Sequence, residues 1–145
     1  MKLRASVVAL AALVAAPAFA EGDPANGEAV FGRVCVQCHH VVNDAGDVLA
    51  GRANVRTGPN LYGVVGRVAG SVEGFRYGAS IKEAGEAGLV WSEETMVQYI
   101  PAATDFLKEF TGNPRARGNM ANQRVTPEEA ADVVAYLTSL APATN

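Results

Sequence analysis

Residues 35–39 read Cys35-Val36-Gln37-Cys38-His39. Two thiols three positions apart, with an imidazole on the next residue, form the C-x-x-C-H pattern of c-type haem attachment. The spacing has a chemical reason. Each thiol can add to one vinyl group of the same porphyrin, and the following imidazole then falls under the iron. A covalent tether keeps a large flat group bound to a domain whose core is limited. Other uses of these residues fit less well. A thioredoxin-like dithiol opens a helix after a strand, whereas a helical stretch precedes Cys35. A zinc site needs about four ligands, and the chain has 2 Cys and 2 His, the histidines adjacent at His39 and His40. A plain disulfide gives His39 no part.

Haem iron takes a sixth ligand or keeps an open position. His40 adjoins His39 and cannot reach the opposite face, so it is expected as an exposed polar residue. The chain holds 3 Met. Met1 leaves with the leader described below. Met96 occupies an apolar position of a helical stretch, which suits core packing. Met120 lies in Gly118-Asn119-Met120, a glycine-containing loop far along the chain from His39. Met120 is therefore the candidate axial ligand, with Met96 as the fallback. Imidazole and thioether together fill both axial positions. The soft sulfur favours Fe(II) and raises the reduction potential, leaving one-electron transfer as the chemistry. The competing class is a haem peroxidase or gas-binding haem protein, which needs an open sixth site.

Around this motif the chain reads as helices and loops. Asp23-Pro24 is an N-cap followed by proline at the first helical position. That helix is expected to run to about Cys35, with Gly27, Val30, Phe31 and Val34 on one face. Residues 43–74 are rich in Gly, Asn and Asp and read as loop. Short helices are expected over Ser80–Ala87, after the Ser92 cap, and over Thr104–Phe110. The last helix is the clearest. Thr126-Pro127-Glu128-Glu129 is a capping box, and Ala130, Val133, Val134 and Leu137 form its apolar stripe beside Tyr136. No strand-like alternation is sustained, so the fold class is all-α.

The first twenty residues differ from the rest. Lys2 and Arg4 precede a nearly unbroken run of Ala, Val and Leu, and Ala18-Phe19-Ala20 supplies a small-residue cleavage site. This is a secretory signal peptide over residues 1–20; the apolar run is too short to span a bilayer. Its removal leaves residues 21–145 as a single domain. With Lys2 and Arg4 gone, the net charge moves from −3 to −5. A chain of 145 residues has room for one domain, and 49% hydrophobic content excludes a disordered chain. The acidic balance argues against nucleic acid as a partner, and no further segment is long enough to span a membrane.

Taken together, the motifs resemble the class I cytochromes c, most nearly the large bacterial cytochrome c2 group. The resemblance runs from Gly27 to Leu140. It rests on the haem motif, on Thr57-Gly58-Pro59-Asn60-Leu61-Tyr62-Gly63, and on Gly66-Arg67 and Gly74-Phe75-Arg76-Tyr77. Leu89-Val90-Trp91, Tyr99 and Ala135-Tyr136-Leu137 complete it. It implies a small fold of short helices and long loops wrapped around one covalent haem c with its iron. Cys35 and Cys38 would carry the thioethers, with His39 and Met120 on the iron. It also implies that the Pro59 carbonyl accepts the His39 imidazole proton, and that Arg67, Tyr77 and Trp91 meet the propionates. Tyr99 would lie near the methionine, and Gly27, Phe31 and Tyr136 would form the contact between first and last helices. The stretch from Phe106 to Arg117 matches the extension of the large group. Ala103 and Asn122 depart from the family pattern, which usually has proline and often phenylalanine there.

The function implied is a soluble periplasmic electron carrier rather than an enzyme. It would be a monomer, docking transiently between the cytochrome bc1 complex and a photosynthetic reaction centre or terminal oxidase, in photosynthesis or respiration. Lys108, Arg115, Arg117 and Arg124 flank Met120 in sequence, and Arg33 precedes the haem motif. The sequence leaves two readings of these cations open, a cationic docking rim or ordinary solvated surface, with Glu28, Glu83, Glu86, Glu128, Glu129 and Asp132 elsewhere.

Overall fold

The structure, a computed structural model, describes residues 22–141. The predicted signal peptide, residues 1–20, lies outside them. Five helices are present among the described residues: α1 (Pro24–Val34), α2 (Ala79–Glu86), α3 (Glu93–Tyr99), α4 (Ala103–Thr111) and α5 (Pro127–Ser139). Their starts follow from the caps in the sequence. The Asp23 carboxylate accepts the Ala25 N–H at 2.8 Å. Ser92 and Thr95 cap α3 reciprocally, and Thr126 and Glu129 do the same for α5. At the other end of α4 the chain turns through Gly112 at φ 66°, a left-handed conformation that glycine adopts without steric cost.

The expectation of helices and loops alone is corrected in one place, at the start of the long loop region. Val41–Val42 (β1) and Val48–Ala50 (β2) form a short antiparallel hairpin. Two- and three-residue strands are too brief for alternation to show in the sequence. The Asn60 side chain fastens this hairpin to the segment beyond it. It accepts the Val42 N–H at 3.0 Å and donates to the Val42 carbonyl at 2.7 Å.

α1 and α5 cross in close contact. Gly27 permits it, because a Cβ there would overlap the Asp132 carbonyl. Phe31 and Tyr136 meet beside it with ring centroids 5.7 Å apart. The Asp132 carboxylate accepts the Asp23 N–H at 2.6 Å, and Arg33 pairs with Glu129 at 2.7 Å. The main core joins these helices to Val41, Met96 and Val97. A second cluster gathers Ala84 of α2, Leu107 of α4, Leu89 and Ala116. Trp91 packs against both clusters.

Candidate cofactor site

A cavity of about 490 Å³ opens between these clusters, and its wall is mainly apolar. Cys35, Cys38, His39, Pro59, Arg67, Tyr77, Trp91, Tyr99 and Met120 all line it, so every site residue expected from sequence is brought to one place. Cys35 sits at the end of α1, its N–H bonded to the Phe31 carbonyl at 2.9 Å. The chain then turns tightly. The Cys38 and His39 N–H groups both donate to the Cys35 carbonyl, at 3.1 and 2.9 Å. Both sulfurs are half-buried, and no disulfide joins them. Burial, and then the neighbouring Cys38, push the Cys35 thiol up to about 11.

The imidazole of His39 is fixed by the next segment. Its Nδ1 lies 3.0 Å from the Pro59 carbonyl. A proton on Nδ1 donates there, which leaves the Nε2 lone pair for a metal. Burial holds the His39 pKa below its ordinary value, and the Pro59 bond opposes that shift. Gly58 completes the seat. Its N–H donates to the Cys38 carbonyl at 2.7 Å, and a Cβ there would strike the His39 ring.

His40 departs from expectation. It is buried, 8% exposed, and its Nδ1 has no hydrogen-bond partner among the described residues. Its backbone pairs with the Asn60 segment while Gly51 closes over it; a Cβ at Gly51 would come within 3.2 Å of the His40 Cα. Neighbouring residues on extended chain point opposite ways. With His39 turned into the cavity, His40 is turned under the β2 end.

Arg67 reaches the cavity from a loop held to Trp91. The Trp91 N–H donates to the Arg67 carbonyl at 2.9 Å, and the Gly66 N–H to the Trp91 carbonyl at 2.7 Å. The guanidinium donates to the Asn60 carbonyl at 3.0 Å and to the Tyr62 carbonyl. Burial lowers its pKa and raises that of Tyr77 beside it. Burial, and then Tyr77, push Tyr99 up to about 12, so both phenols stay protonated at neutral pH. A guanidinium and two hydroxyls in a mainly apolar wall can hold an anionic group that would otherwise be costly to bury.

Met120 lines the cavity from the loop after α4, and Met96 lines it from α3 while also packing in the main core. Met96 thus fills the core role expected of it. Sequence reasoning missed the apolar wall supplied by Leu61, Val64 and Ile81. Leu61 and Val64 lie in irregular backbone and Ile81 on a two-turn helix, where a single aliphatic residue carries little periodic signal. Asn122 is exposed and does not line the cavity. Ala103 is fully buried where Gly118 passes it, with room for little more than a methyl group. The cationic rim is reduced: Arg33 is paired with Glu129 and Lys108 with Asp105. Arg117 and Arg76, both exposed, are the cations at the cavity mouth.

Two thiols, an imidazole in a fixed tautomer and a thioether on one apolar cavity form a donor set suited to haem c. The cytochrome c family model matches residues 24–141.

The chain belongs to the cytochrome c family.

It is 51% identical over 119 residues to a cytochrome c2 of Rhodovulum adriaticum, covering 82% of this chain and 93% of the relative. It is 48% identical over 138 residues to a cytochrome c2 of Cereibacter sphaeroides, covering 94% of each. Among solved structures it resembles cytochrome c2 from Rhodobacter sphaeroides, with a TM-score of 0.79 at 48% identity, over 82% of this chain and 96% of that one. Ferric cytochrome c-550 from Paracoccus versutus follows at a TM-score of 0.76 and 41% identity, over 84% of this chain and 100% of that one. This cytochrome therefore has the small helical class I fold, close to the bacterial c2 proteins, and carries one covalently bound haem c with its iron. It is an electron-transfer protein and not an enzyme. Among the described residues, no helix is long and apolar enough to cross a membrane.

Proposed function

We propose that this cytochrome is a soluble periplasmic one-electron carrier whose haem iron is held by His39 and Met120. The observation that carries this reading is the meeting of Cys35, Cys38, His39 and Met120 on one cavity. The haem, when bound, supplies reversible one-electron chemistry at iron. The chain supplies the rest. Cys35 and Cys38 hold the group covalently. Pro59 keeps the His39 proton on Nδ1 and strengthens the ring as a donor. Met120 fills the sixth position and excludes small ligands. Arg67, Tyr77 and Trp91 compensate the propionates, and Tyr99 stands near the methionine.

Residues 1–20 direct export to the periplasm and are removed by cleavage after Ala20, and the mature protein works there as a monomer. It takes electrons from the cytochrome bc1 complex and gives them to a photosynthetic reaction centre or terminal oxidase. Support for this comes from the c2 relatives and from the exposed Arg76 and Arg117 at the cavity mouth.

Met120→Ala is expected to open the sixth position and lower the reduction potential. The reduced variant then binds carbon monoxide quickly and completely, whereas the parent binds it slowly. Rapid, complete binding by the parent at neutral pH would favour the gas-binding or peroxidase class instead. Parallel kinetics of the reduced protein with reaction centres and with oxidase identify the acceptor.

A further inference from the structure

The loop that delivers Met120 is unusually well fastened for a segment of irregular backbone. Loops are commonly the mobile part of a fold. Here two successive N–H groups just before the methionine end on side-chain oxygens of two different helices. Arg117 N–H donates to Ser80 Oγ of α2 at 2.9 Å. Gly118 N–H donates to Thr104 Oγ1 of α4 at 3.0 Å. Further back, the Asn113 amide donates to the Glu83 carboxylate at 3.2 Å. Ser80 and Glu83 are three residues apart, so one face of α2 receives both contacts. Between them Ala116 is buried against the cluster containing Ala84 and Leu107. On the far side of Met120, the Gln123 N–H donates to the Ile100 carbonyl at 3.1 Å.

We propose that Ser80 and Thr104 are positioning residues for Met120, forming a two-point latch that governs how often the methionine leaves the cavity. The inference rests on the reading of Met120 as the axial ligand. The two points differ in strength for a physical reason. Gly118 is partly buried, so losing Thr104 Oγ1 leaves its N–H without a ready substitute. Arg117 is exposed, and water replaces Ser80 Oγ there. The latch therefore depends mainly on Thr104.

The test uses the complete ferric holoprotein and imidazole as a probe that enters when Met120 departs. Stopped-flow measurement at saturating imidazole gives the limiting rate of methionine release. Thr104→Val, which keeps the side-chain shape, is expected to raise it about tenfold, and Ser80→Ala about twofold. Thr104→Ser restores the hydroxyl and returns the rate close to the parent value. Val134→Ala, in the main core and outside the cavity lining, lowers thermal stability and is expected to leave the rate unchanged. A native rate in Thr104→Val, or equal acceleration by Val134→Ala, overturns the latch. Met120→Ala separates this from failure of the ligand reading. If that variant keeps the parent's ferric spectrum, Met120 is not the ligand, and the latch falls with it.

Discussion

At Gly58 the absence of a side chain decides where His39 sits. The ring is held from the other direction by Pro59, so an added Cβ has to displace it. Gly58→Ala is therefore expected to alter the ferric absorption spectrum and to cost about 1–3 kcal/mol in a denaturant titration. Gly27→Ala makes a useful contrast. It forces a methyl group against the Asp132 backbone and is expected to cost a similar amount, about 1–3 kcal/mol, with the spectrum unchanged. A spectral change in the second variant and none in the first would reverse these assignments. That the thiols, His39 and Met120 share one cavity was legible in the sequence because their chemistry is rare and their spacing or setting constrained. His40 was not, since its burial depends on Gly51 returning from the hairpin. Ser80 and Thr104 carry no sequence signal at all: they are ordinary polar residues at helix starts, and only the tertiary path of the Met120 loop gives them a role.

The helices with side-chain caps are the elements whose starts could be read closely. Thr126 and Ser92 marked α5 and α3 correctly. The first residue of α4 was less evident, because Ala102 before it offers no side-chain cap. Thr126→Ala is expected to cost about 1 kcal/mol in thermal unfolding at neutral pH. Glu129 adds a pH-dependent part. The Thr126 N–H donates to its carboxylate at 2.9 Å, and Arg33 does so at 2.7 Å. These bonds, that from Thr126 first, hold its pKa below the ordinary 4.5. A carboxyl group with a lowered folded pKa stabilises fully above its unfolded value and loses that effect as pH falls through the folded one. The melting temperatures of the parent and Glu129→Gln should thus differ most near neutrality and converge as the pH falls from 4.5 through the lowered folded value. A gap that stays constant down to pH 3 would mean that Glu129 acts through packing alone.

At the scale of the whole molecule, an acidic chain presents two exposed arginines on the cavity lining. Its net charge is negative, yet Arg76 and Arg117 stand exposed where the cavity opens. Encounter with an acidic partner should therefore depend on local rather than net charge. Raising ionic strength from about 10 to 150 mM shortens the Debye length from about 30 to 8 Å. Bimolecular electron transfer to such a partner is expected to slow over that range, and Arg117→Glu to slow it further at low salt. Rates indifferent to both changes would remove the electrostatic encounter. At this scale the sequence indicated a helical domain around a flat group, but not its second core cluster. Residues such as Leu89 and Ala116 lie in loops, where no periodicity announces burial.

One feature of that core also makes the molecule self-reporting. Trp91 is the only indole in the chain, set in the cavity wall 4.8 Å from Tyr99. A haem bound there would drain its ultraviolet emission while that wall is closed and release it once the wall parts. A single unlabelled fluorophore would thus time the opening of that wall without any engineered dye.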